Sequence, residues 1–175
     1  MNQEKVILVN LADEITGSME KMEAHEKAML HRAFSVFIFN DQNEMLIHQR
    51  ADEKYHSGGL WTNACCSHPR MGETTEEAAH RRLMEEMGFD CPINEVFSFI
   101  YKAKLDQGLT EHEFDHVFFG RFNGNPKPNP EEVKDWKFVK PSDLERHIQQ
   151  NPHQFTEWFK IALEKIKNLN IAIAV

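Results

Sequence analysis

The strongest constraint on this fold is a helix whose two ends are both marked in the sequence. Thr74 and Glu77 have the spacing of a capping box, in which each side chain accepts a hydrogen bond from the other residue's backbone N–H. Apolar residues then recur at helical spacing as far as Met87, and Gly88 stands where a glycine commonly ends a helix. These signals predict a helix over residues 75–87.

Short apolar runs around this helix predict strands. The predicted strands span residues 6–9, 33–39, 45–49, 96–105, 114–122 and 136–139. Polar and glycine-rich segments predict a turn at 16–18, a hairpin connection at 40–43 and loops at 57–59 and 123–130. Helices are predicted over 141–150 and 152–167, each opening near a proline, while 19–30 has no clear pattern. This mixture predicts an α/β or α+β fold, with a mixed β-sheet sandwiched between helices.

Length and charge limit the possible functions. A chain of 175 residues is long enough for one domain with a full core, so we expect a single domain over residues 1–175. The net charge of −8 argues against binding to nucleic acid or to anionic membranes, because a basic patch supplies most of that affinity.

Cysteine content and hydropathy indicate a cytoplasmic protein. Three cysteines, two of them adjacent, form no disulfide framework and favour a reducing compartment. The N-terminal residues lack the apolar core of a signal peptide, and no apolar run approaches the roughly 20 residues of a membrane span. The apolar residues 171–175 are expected to form an edge strand or a packed tail.

The segment before the predicted helix combines a thiol with an imidazole. Pro69 favours extended backbone in the residues before it, so Cys66 and His68 point to one side and Ser67 points away. Cys66 and His68 can therefore face one cavity. The simpler interpretation is that Cys65 and Cys66 are small buried residues near a surface histidine.

Two further histidines stand earlier in the chain. His25 and His31 are six residues apart, and one uninterrupted helix would splay them by roughly 120°. If both bind one ion, the chain must bend between them.

A pair of carboxylates stands just before the strand predicted over residues 114–122. Glu111 and Glu113 share one face of an extended segment, and His112 takes the other. Two such carboxylates are costly to bring together unless a cation or water screens them, although each alone could be a solvated charge. With the histidines they would form a mixed site better suited to Zn²⁺, Mn²⁺ or Fe²⁺ than to Ca²⁺. The members of that site would be His25, His31, His68, Glu111 and Glu113.

Basic residues indicate a possible anion site. Arg50 and Lys54 are four residues apart beside a Gly-Gly loop and could clamp a diphosphate. Arg82 and Glu86 lie one helical turn apart. They could form an ordinary surface ion pair, or Glu86 could bind a divalent ion while Arg82 binds the phosphates of the same ligand. Lys21 is a further candidate for this anion site, although ordinary surface charge explains it equally well.

Several aromatic residues must belong to the core, and Trp61 and Tyr101 could be among them. Trp158 is the least obviously core member, and the face of a tryptophan ring can stabilise a cation.

Taken together, these motifs resemble type I isopentenyl diphosphate isomerases, which are members of the Nudix superfamily. The resemblance covers residues 6 to 165. Its markers are residues 17–21 followed by His25 and His31, residues 60–63 leading to Cys66-Ser67-His68-Pro69, Gly72-Glu73, residues 81–88, and Glu111-His112-Glu113.

The Nudix box itself is degenerate in this chain. Within residues 81–89, Arg82 replaces a glutamate that Nudix hydrolases use to hold metal and activate water, and the isomerases share this arginine. Ser67 stands where the superfamily has the opening glycine. The resemblance therefore implies retention of a diphosphate rather than its hydrolysis.

The resemblance implies a role for each candidate residue. Cys66 on one face of the substrate, and Glu113 with Tyr101 on the other, would each serve one proton transfer, while Trp158 would stabilise the carbocation. The first metal, Mn²⁺ or Zn²⁺ or Mg²⁺, would be bound by His25, His31, His68, Glu111 and Glu113. Glu86 and a backbone carbonyl near Cys66 would bind a second ion, Mg²⁺. The substrate-binding group would be Arg50, Lys54, Arg82, Lys21 and Ser67.

The expected substrate is a five-carbon isoprenyl diphosphate, acted on by a monomer or homodimer. Two other classes stay open on the residues. The first is a Nudix diphosphate hydrolase, which Arg82 argues against, and the second is a non-catalytic zinc-binding or regulatory module.

Overall fold

The computed structural model describes residues 4–171 of the chain. The strands are β1 Lys5–Val9, β2 Ile15–Glu20, β3 His31–Phe39, β4 Met45–Arg50, β5 Trp61–Thr62, β6 Cys65–Ser67, β7 Ile93–Lys104, β8 Thr110–Arg121 and β9 Val133–Val139. The α-helices are α1 Lys21–Glu26, α2 Thr75–Met87, α3 Pro141–Gln150 and α4 Glu157–Asn168. Short 3₁₀ turns occupy Asp106–Gly108 and Pro152–Gln154.

Strand β3 is the centre of a mixed sheet. It pairs in parallel with β8 along its whole length, from His31 opposite Glu113 to Phe39 opposite Arg121. On its other edge it pairs antiparallel with β6, where Ser35 lies opposite Cys66. Strand β8 continues the sheet to β7, while β4 turns away from β3 to pair with β9 and β5.

Side-chain alternation along β3 builds a core on each face of the sheet, as the period of two requires. Val36 points to one face, where it packs with Leu83 and Met87 of α2. Phe37 points to the other face, where it packs with Phe159 of α4. The predicted architecture, a mixed sheet sandwiched between helices, is confirmed.

Both predicted ends of helix α2 are confirmed. Thr74 Oγ1 accepts from the Glu77 backbone N–H at 3.2 Å, and Glu77 Oε2 accepts from the Thr74 backbone N–H at 2.9 Å. Gly88 caps the other end with φ at 71°, in the left-handed region. The loop after β8 packs against this end, because Lys127 N–H donates to the Met87 carbonyl at 3.0 Å.

The predicted turn at 16–18 is wrong, because these residues lie inside β2 and pair with β1. The chain reverses earlier, where Asn10 Oδ1 accepts from the backbone N–H groups of Ala12 and Glu14. Asp13 adopts a left-handed φ of 60° in this turn. An asparagine side chain that mimics a backbone turn therefore fixes the connection. The tight connection predicted at 40–43 is confirmed by a similar Asn40 hydrogen-bond pattern.

The single helix predicted over 152–167 is also wrong. Phe155 is extended, buried and bridged to Trp61. It therefore separates the 3₁₀ turn that precedes it from helix α4, which follows it. Thr156 N–H donates to the Trp61 carbonyl at 3.0 Å, which ties the break to the sheet. The predicted C-terminal strand or packed tail lies, beyond residue 171, outside the described residues. No helix within residues 4–171 has the length and apolar character needed to cross a membrane.

Replacing Gly88 by alanine should destabilise the protein more than replacing Gly72. Both glycines have positive φ, which costs an L-residue about 1–2 kcal/mol. A Cβ at Gly72 would meet no atom within 4 Å, whereas one at Gly88 would lie 2.1 Å from the Lys127 carbonyl oxygen. Such overpacking adds about 1–3 kcal/mol. Urea unfolding of Gly88→Ala and Gly72→Ala measures the difference, and equal losses in free energy would contradict the packing account.

Candidate active site

One cleft of about 1000 Å³ collects nearly all the candidate residues. The predicted residues that line it are Lys21, Arg50, Lys54, Cys66, Ser67, His68, Arg82, Glu86, Tyr101, Glu111, Glu113 and Trp158. His25 and His31 lie behind this surface, fully buried, with their rings against His68. Ser67 borders the cleft, although alternation along the strand predicts that it points away.

The chain bends between His25 and His31, as joint binding of one ion requires. His25 stands in the last turn of α1, and His31 opens β3 after a short connection, so the ring centroids lie 5.1 Å apart. Each Nδ1 is 2.7 Å from a backbone carbonyl oxygen, that of Lys21 for His25 and that of Met29 for His31. These contacts fix the tautomers and leave each Nε2 directed toward the cluster.

Glu111 and Glu113 face the cleft from β8, as alternation predicts. Glu113 Oε1 lies 3.1 Å from His68 Nε2 and 3.6 Å from His31 Nε2. The Tyr101 hydroxyl oxygen lies 2.7 Å from Glu113 Oε2 and 2.9 Å from Glu111 Oε2, so it bridges the two carboxyl groups.

The surroundings of the two carboxyl groups shift their pKa values in opposite directions. Burial and the charge of Glu113 raise the pKa of Glu111 well above its usual range. Burial opposes ionisation of Glu113 as well, but the nearby His31 and a hydrogen bond from His68 hold its pKa well below the usual range. Burial and the neighbouring carboxylates raise the pKa of Tyr101. In the protein alone, Glu113 is therefore the more acidic member of the pair.

The imidazole cluster fits a divalent cation. One atom from each of His25, His31, His68 and Glu113 lies within 4.8 Å of the others. The Nε2 atoms of His25 and His31 are buried and have no hydrogen-bond partner among residues 4–171. Burial and the nearby His68 lower the pKa of His25 to about 4, so its ring is neutral at pH 7 and can donate a lone pair. Glu111 belongs to a second, overlapping group with His25 and His56.

The two adjacent thiols point opposite ways, as alternation predicts. Cys66 borders the cleft, whereas Cys65 is fully buried in the core on the α2 side. Cys66 Sγ donates to Asn63 Oδ1 at 3.0 Å and lies 3.4 Å from Ser35 Oγ, which donates to Asp115 Oδ2 at 2.8 Å. Burial and the Asp115 charge raise the pKa of Cys66 well above its usual range, so this thiol is protonated at neutral pH.

Cations and carboxylates alternate at the other end of the cleft. Arg82 Nη2 donates to Glu86 Oε1 at 2.6 Å, and Lys54 Nζ donates to Glu132 Oε2 at 2.6 Å. The Nε atoms of Arg50 and Arg82 are buried and have no partner within the described residues. Unpaired guanidinium N–H groups beside a cleft are suited to an anion with several oxygens, such as a diphosphate.

Trp158 is buried but still borders the cleft. The Arg50 guanidinium carbon lies 5.1 Å from the centre of its ring, within the range of a cation–π contact. Lys21 pairs with Glu4 and sits 4.7 Å from the Tyr55 ring, so it reaches the cleft with a partner of its own.

The residues that line or support the cleft and escape the sequence reasoning include Ser35, His56, Asn63, Asp115 and Glu132. Strand pairing brings Ser35 and Asp115 to the site, and packing of its loop on α2 brings Glu132 there. Neither kind of long-range contact is visible in the local sequence. Asn63 had a local signal, because it stands three residues before Cys66. His56 had one too, because it stands in the loop that carries Lys54.

Comparison with known proteins identifies the fold class. Residues 29–159 match the NUDIX domain. A crystal structure of a Deinococcus radiodurans protein superposes with a TM-score of 0.70 at 22% identity, covering 84% of this chain and 90% of its own. A MutT protein from Methanosarcina mazei superposes with a TM-score of 0.65 at 17% identity, covering 82% and 96%. The chain therefore has the Nudix fold.

Sequence relatives define the family more closely. The chain is 53% identical over 157 residues to an isopentenyl-diphosphate Delta-isomerase 2 of Photorhabdus laumondii, covering 90% of this chain and 89% of the relative. It is 49% identical over 162 residues to an isopentenyl-diphosphate Delta-isomerase of Pectobacterium atrosepticum, covering 93% and 90%. The chain belongs to the isopentenyl-diphosphate Delta-isomerase family within the Nudix class, as its motifs predict.

Glu132→Gln should reduce stability at neutral pH by about 0.5–1 kcal/mol, the scale of a partly exposed ion pair. Burial opposes ionisation of Glu132, but Lys54 and Arg82 lower its pKa below the ordinary 4.5. A carboxylate with a depressed pKa adds stability above the unfolded value, and this is lost as pH falls through the folded value.

Urea unfolding at pH 7 and near pH 3 checks this, because the gap between wild type and Glu132→Gln should shrink in acid. Glu131→Gln, at the exposed neighbouring position, is the control and should match wild type at both pH values. A gap that stays constant with pH would show that the charge of Glu132 does not stabilise the fold.

Proposed function

We propose that this protein interconverts isopentenyl diphosphate and dimethylallyl diphosphate, moving a double bond by one position. The observation that carries the proposal is the placement of two proton-carrying groups around β3. Cys66 comes from β6 on one edge of β3, and Glu113 comes from β8 on the other, and both line one cleft.

The reaction requires one proton to be added and another to be removed. A proton adds to the terminal carbon of the alkene, positive charge develops at the tertiary carbon, and loss of a C2 proton forms the new double bond. Cys66, with its raised pKa, and Glu113, with Tyr101 hydrogen-bonded to it, each serve one of these transfers from opposite faces. The ring of Trp158 stabilises the developing cation.

Two groups of residues would bind metal ions. His25, His31, His68 and Glu113, whose ligand atoms are grouped together, would hold the first ion with Glu111, and Mn²⁺, Zn²⁺ and Mg²⁺ are the candidates. Glu86, with a backbone carbonyl near Cys66, would hold Mg²⁺, whose positive charge would help to neutralise the diphosphate. Arg50, Lys54 and Arg82, with Lys21 and the backbone at Ser67, bind the remaining phosphate oxygens.

The alternative of a Nudix diphosphate hydrolase is disfavoured by Arg82. This arginine occupies a position at which the hydrolases carry a metal-binding glutamate, and it donates to Glu86 at 2.6 Å. A cation there attracts a diphosphate but cannot bind a metal or activate water.

We propose one domain, because two cores flank a single connected sheet in residues 4–171. A cytoplasmic location agrees with three free cysteines, and the net charge of −8 disfavours nucleic acid and anionic membranes as partners. The protein would act as a monomer or homodimer.

Proton NMR of isopentenyl diphosphate with purified protein and Mg²⁺ tests the proposed reaction directly. We expect the terminal alkene signals to give way to the two methyl signals of dimethylallyl diphosphate until equilibrium is reached. An unchanged alkene spectrum with fully metallated protein would contradict the proposal.

Cys66→Ala should abolish isomerisation, whereas Cys65→Ala should leave turnover nearly intact. Loss of an acid–base group typically costs about 10²- to 10⁴-fold, and no neighbouring side chain replaces the thiol across the substrate. Cys65 is buried in the core, so its loss should cost modest stability only. Initial rates by proton NMR and urea unfolding separate the two effects. An inactive Cys65→Ala beside an active Cys66→Ala would reverse the assignment.

Arg82→Glu should weaken substrate binding and add little or no hydrolysis. The change restores a hydrolase-like carboxylate but removes a cation from the diphosphate end of the cleft. Hydrolysis also needs a positioned water, which this single change does not supply. KM for isopentenyl diphosphate and release of inorganic phosphate are the measurements. Substantial phosphate release would show that Arg82 is what suppresses hydrolysis.

A further inference from the structure

His56 is a buried histidine of the cleft for which the proposed mechanism has no use. It stands in the loop between β4 and β5, is 4% exposed, and lines the cleft beside Trp158. Its ring packs edge-on against Tyr55 and Trp158, with centroid distances of 4.3 and 5.6 Å, and lies 6.1 Å from the ring of His25. One of its ring nitrogens lies within 4.8 Å of a possible ligand atom of His25 and of Glu111.

Two sets of possible ligand atoms overlap at His25. One set joins His25 to His31, His68 and Glu113, and the other joins His25 to His56 and Glu111. Within each set the atoms lie within 4.8 Å of one another. Donors on opposite sides of an ion, with bonds of about 2.0–2.2 Å, are about 4.0–4.4 Å apart, so either set needs only a small contraction to surround an ion.

The tautomer of His25 decides between one ion and two. Its Nδ1 donates to the Lys21 carbonyl oxygen, so Nε2 carries the only lone pair available to a metal. A single imidazole lone pair binds a single ion. His25 therefore cannot belong to two separate sites at once. A single ion that draws on both sets keeps every donor in use, and donors of the two sets that are more than 4.8 Å apart must then move toward that ion.

We infer that His56 is a sixth protein ligand of the ion at the proposed metal centre, on whose existence this inference rests. The shell then consists of four imidazoles and two carboxylates: His25, His31, His56, His68, Glu111 and Glu113. Six nitrogen and oxygen donors suit an octahedral ion such as Mn²⁺ or Fe²⁺ better than tetrahedral Zn²⁺.

A closed shell has a functional consequence. Catalytic metals that hydrolyse a substrate keep an open position for the attacking water. An ion with six protein ligands has no such position, so it holds Glu111 and Glu113 in place without activating water. This arrangement is suited to a cleft that binds a diphosphate and must leave it intact.

The matched pair of variants for the test is His56→Phe and His147→Phe. Phenylalanine keeps an aromatic ring between Tyr55 and Trp158 while removing both ring nitrogens. His147 lies in α3, packs against Phe155 and does not line the cleft. Proteins stripped with chelator are titrated with Mn²⁺ and followed by calorimetry and by the Mn²⁺ EPR signal.

We expect His56→Phe to bind Mn²⁺ at least about 10-fold more weakly than wild type, since even residues outside the ligand shell change metal affinity by about 10- to 100-fold. His147→Phe should match wild type. Equal Mn²⁺ affinity in wild type and His56→Phe would overturn the sixth ligand while leaving the five-ligand centre standing. Wild type without measurable Mn²⁺ binding would overturn the metal centre itself.

A crystal of the wild-type protein loaded with Mn²⁺ provides a test that no folding defect can obscure. The anomalous map should place the ion about 2.0–2.2 Å from a ring nitrogen of His56. An ion bound by His25, His31 and His68 but farther than about 3 Å from His56 would overturn the inference.

Discussion

The parallel pairing of β3 with β8 is the constraint on which the cleft depends. Its register sets His31 opposite Glu113, and on the other edge of β3 the antiparallel pairing with β6 sets Ser35 opposite Cys66. Because side chains alternate along a strand, a slip of one residue would turn Glu113 away from the imidazole cluster. The large apolar side chains of β3, packed on both faces of the sheet, stabilise this register, so the core positions the chemistry.

The cleft keeps unlike charges close together at both ends. At one end, Glu113 is buried beside the imidazole cluster, where burial lowers the pKa of His25 and of His68, an arrangement that a divalent cation would stabilise. At the other end, Lys54 and Arg82 are balanced by carboxylates, yet the Nε of Arg82 stays unpaired among the described residues. These charges are suited to the proposed metal ion at one end and the proposed anion at the other, and Cys66 and Trp158 line the same cleft.

Local signals made most of the site predictable, and long-range packing accounts for the rest. The two-residue spacing separated Cys66 from Cys65, and the capping box fixed α2, because both depend on neighbouring residues only. The support of Cys66 by Ser35 depends on strand pairing across 31 positions, which no local pattern encodes. The break at Phe155 cannot be predicted from neighbouring residues for the same reason, because its cause is a bridge to Trp61.

The central claim is that two groups on opposite sides of the substrate divide the proton transfers. One measurement tests it directly: isopentenyl diphosphate is converted by the wild-type enzyme in D₂O and followed by proton and phosphorus NMR. Because the added proton comes from an exchangeable group, the account predicts one deuterium in the new methyl group of the first product, with the diphosphate intact. A first product without deuterium would mean that one group carries the same proton across, and would contradict the account.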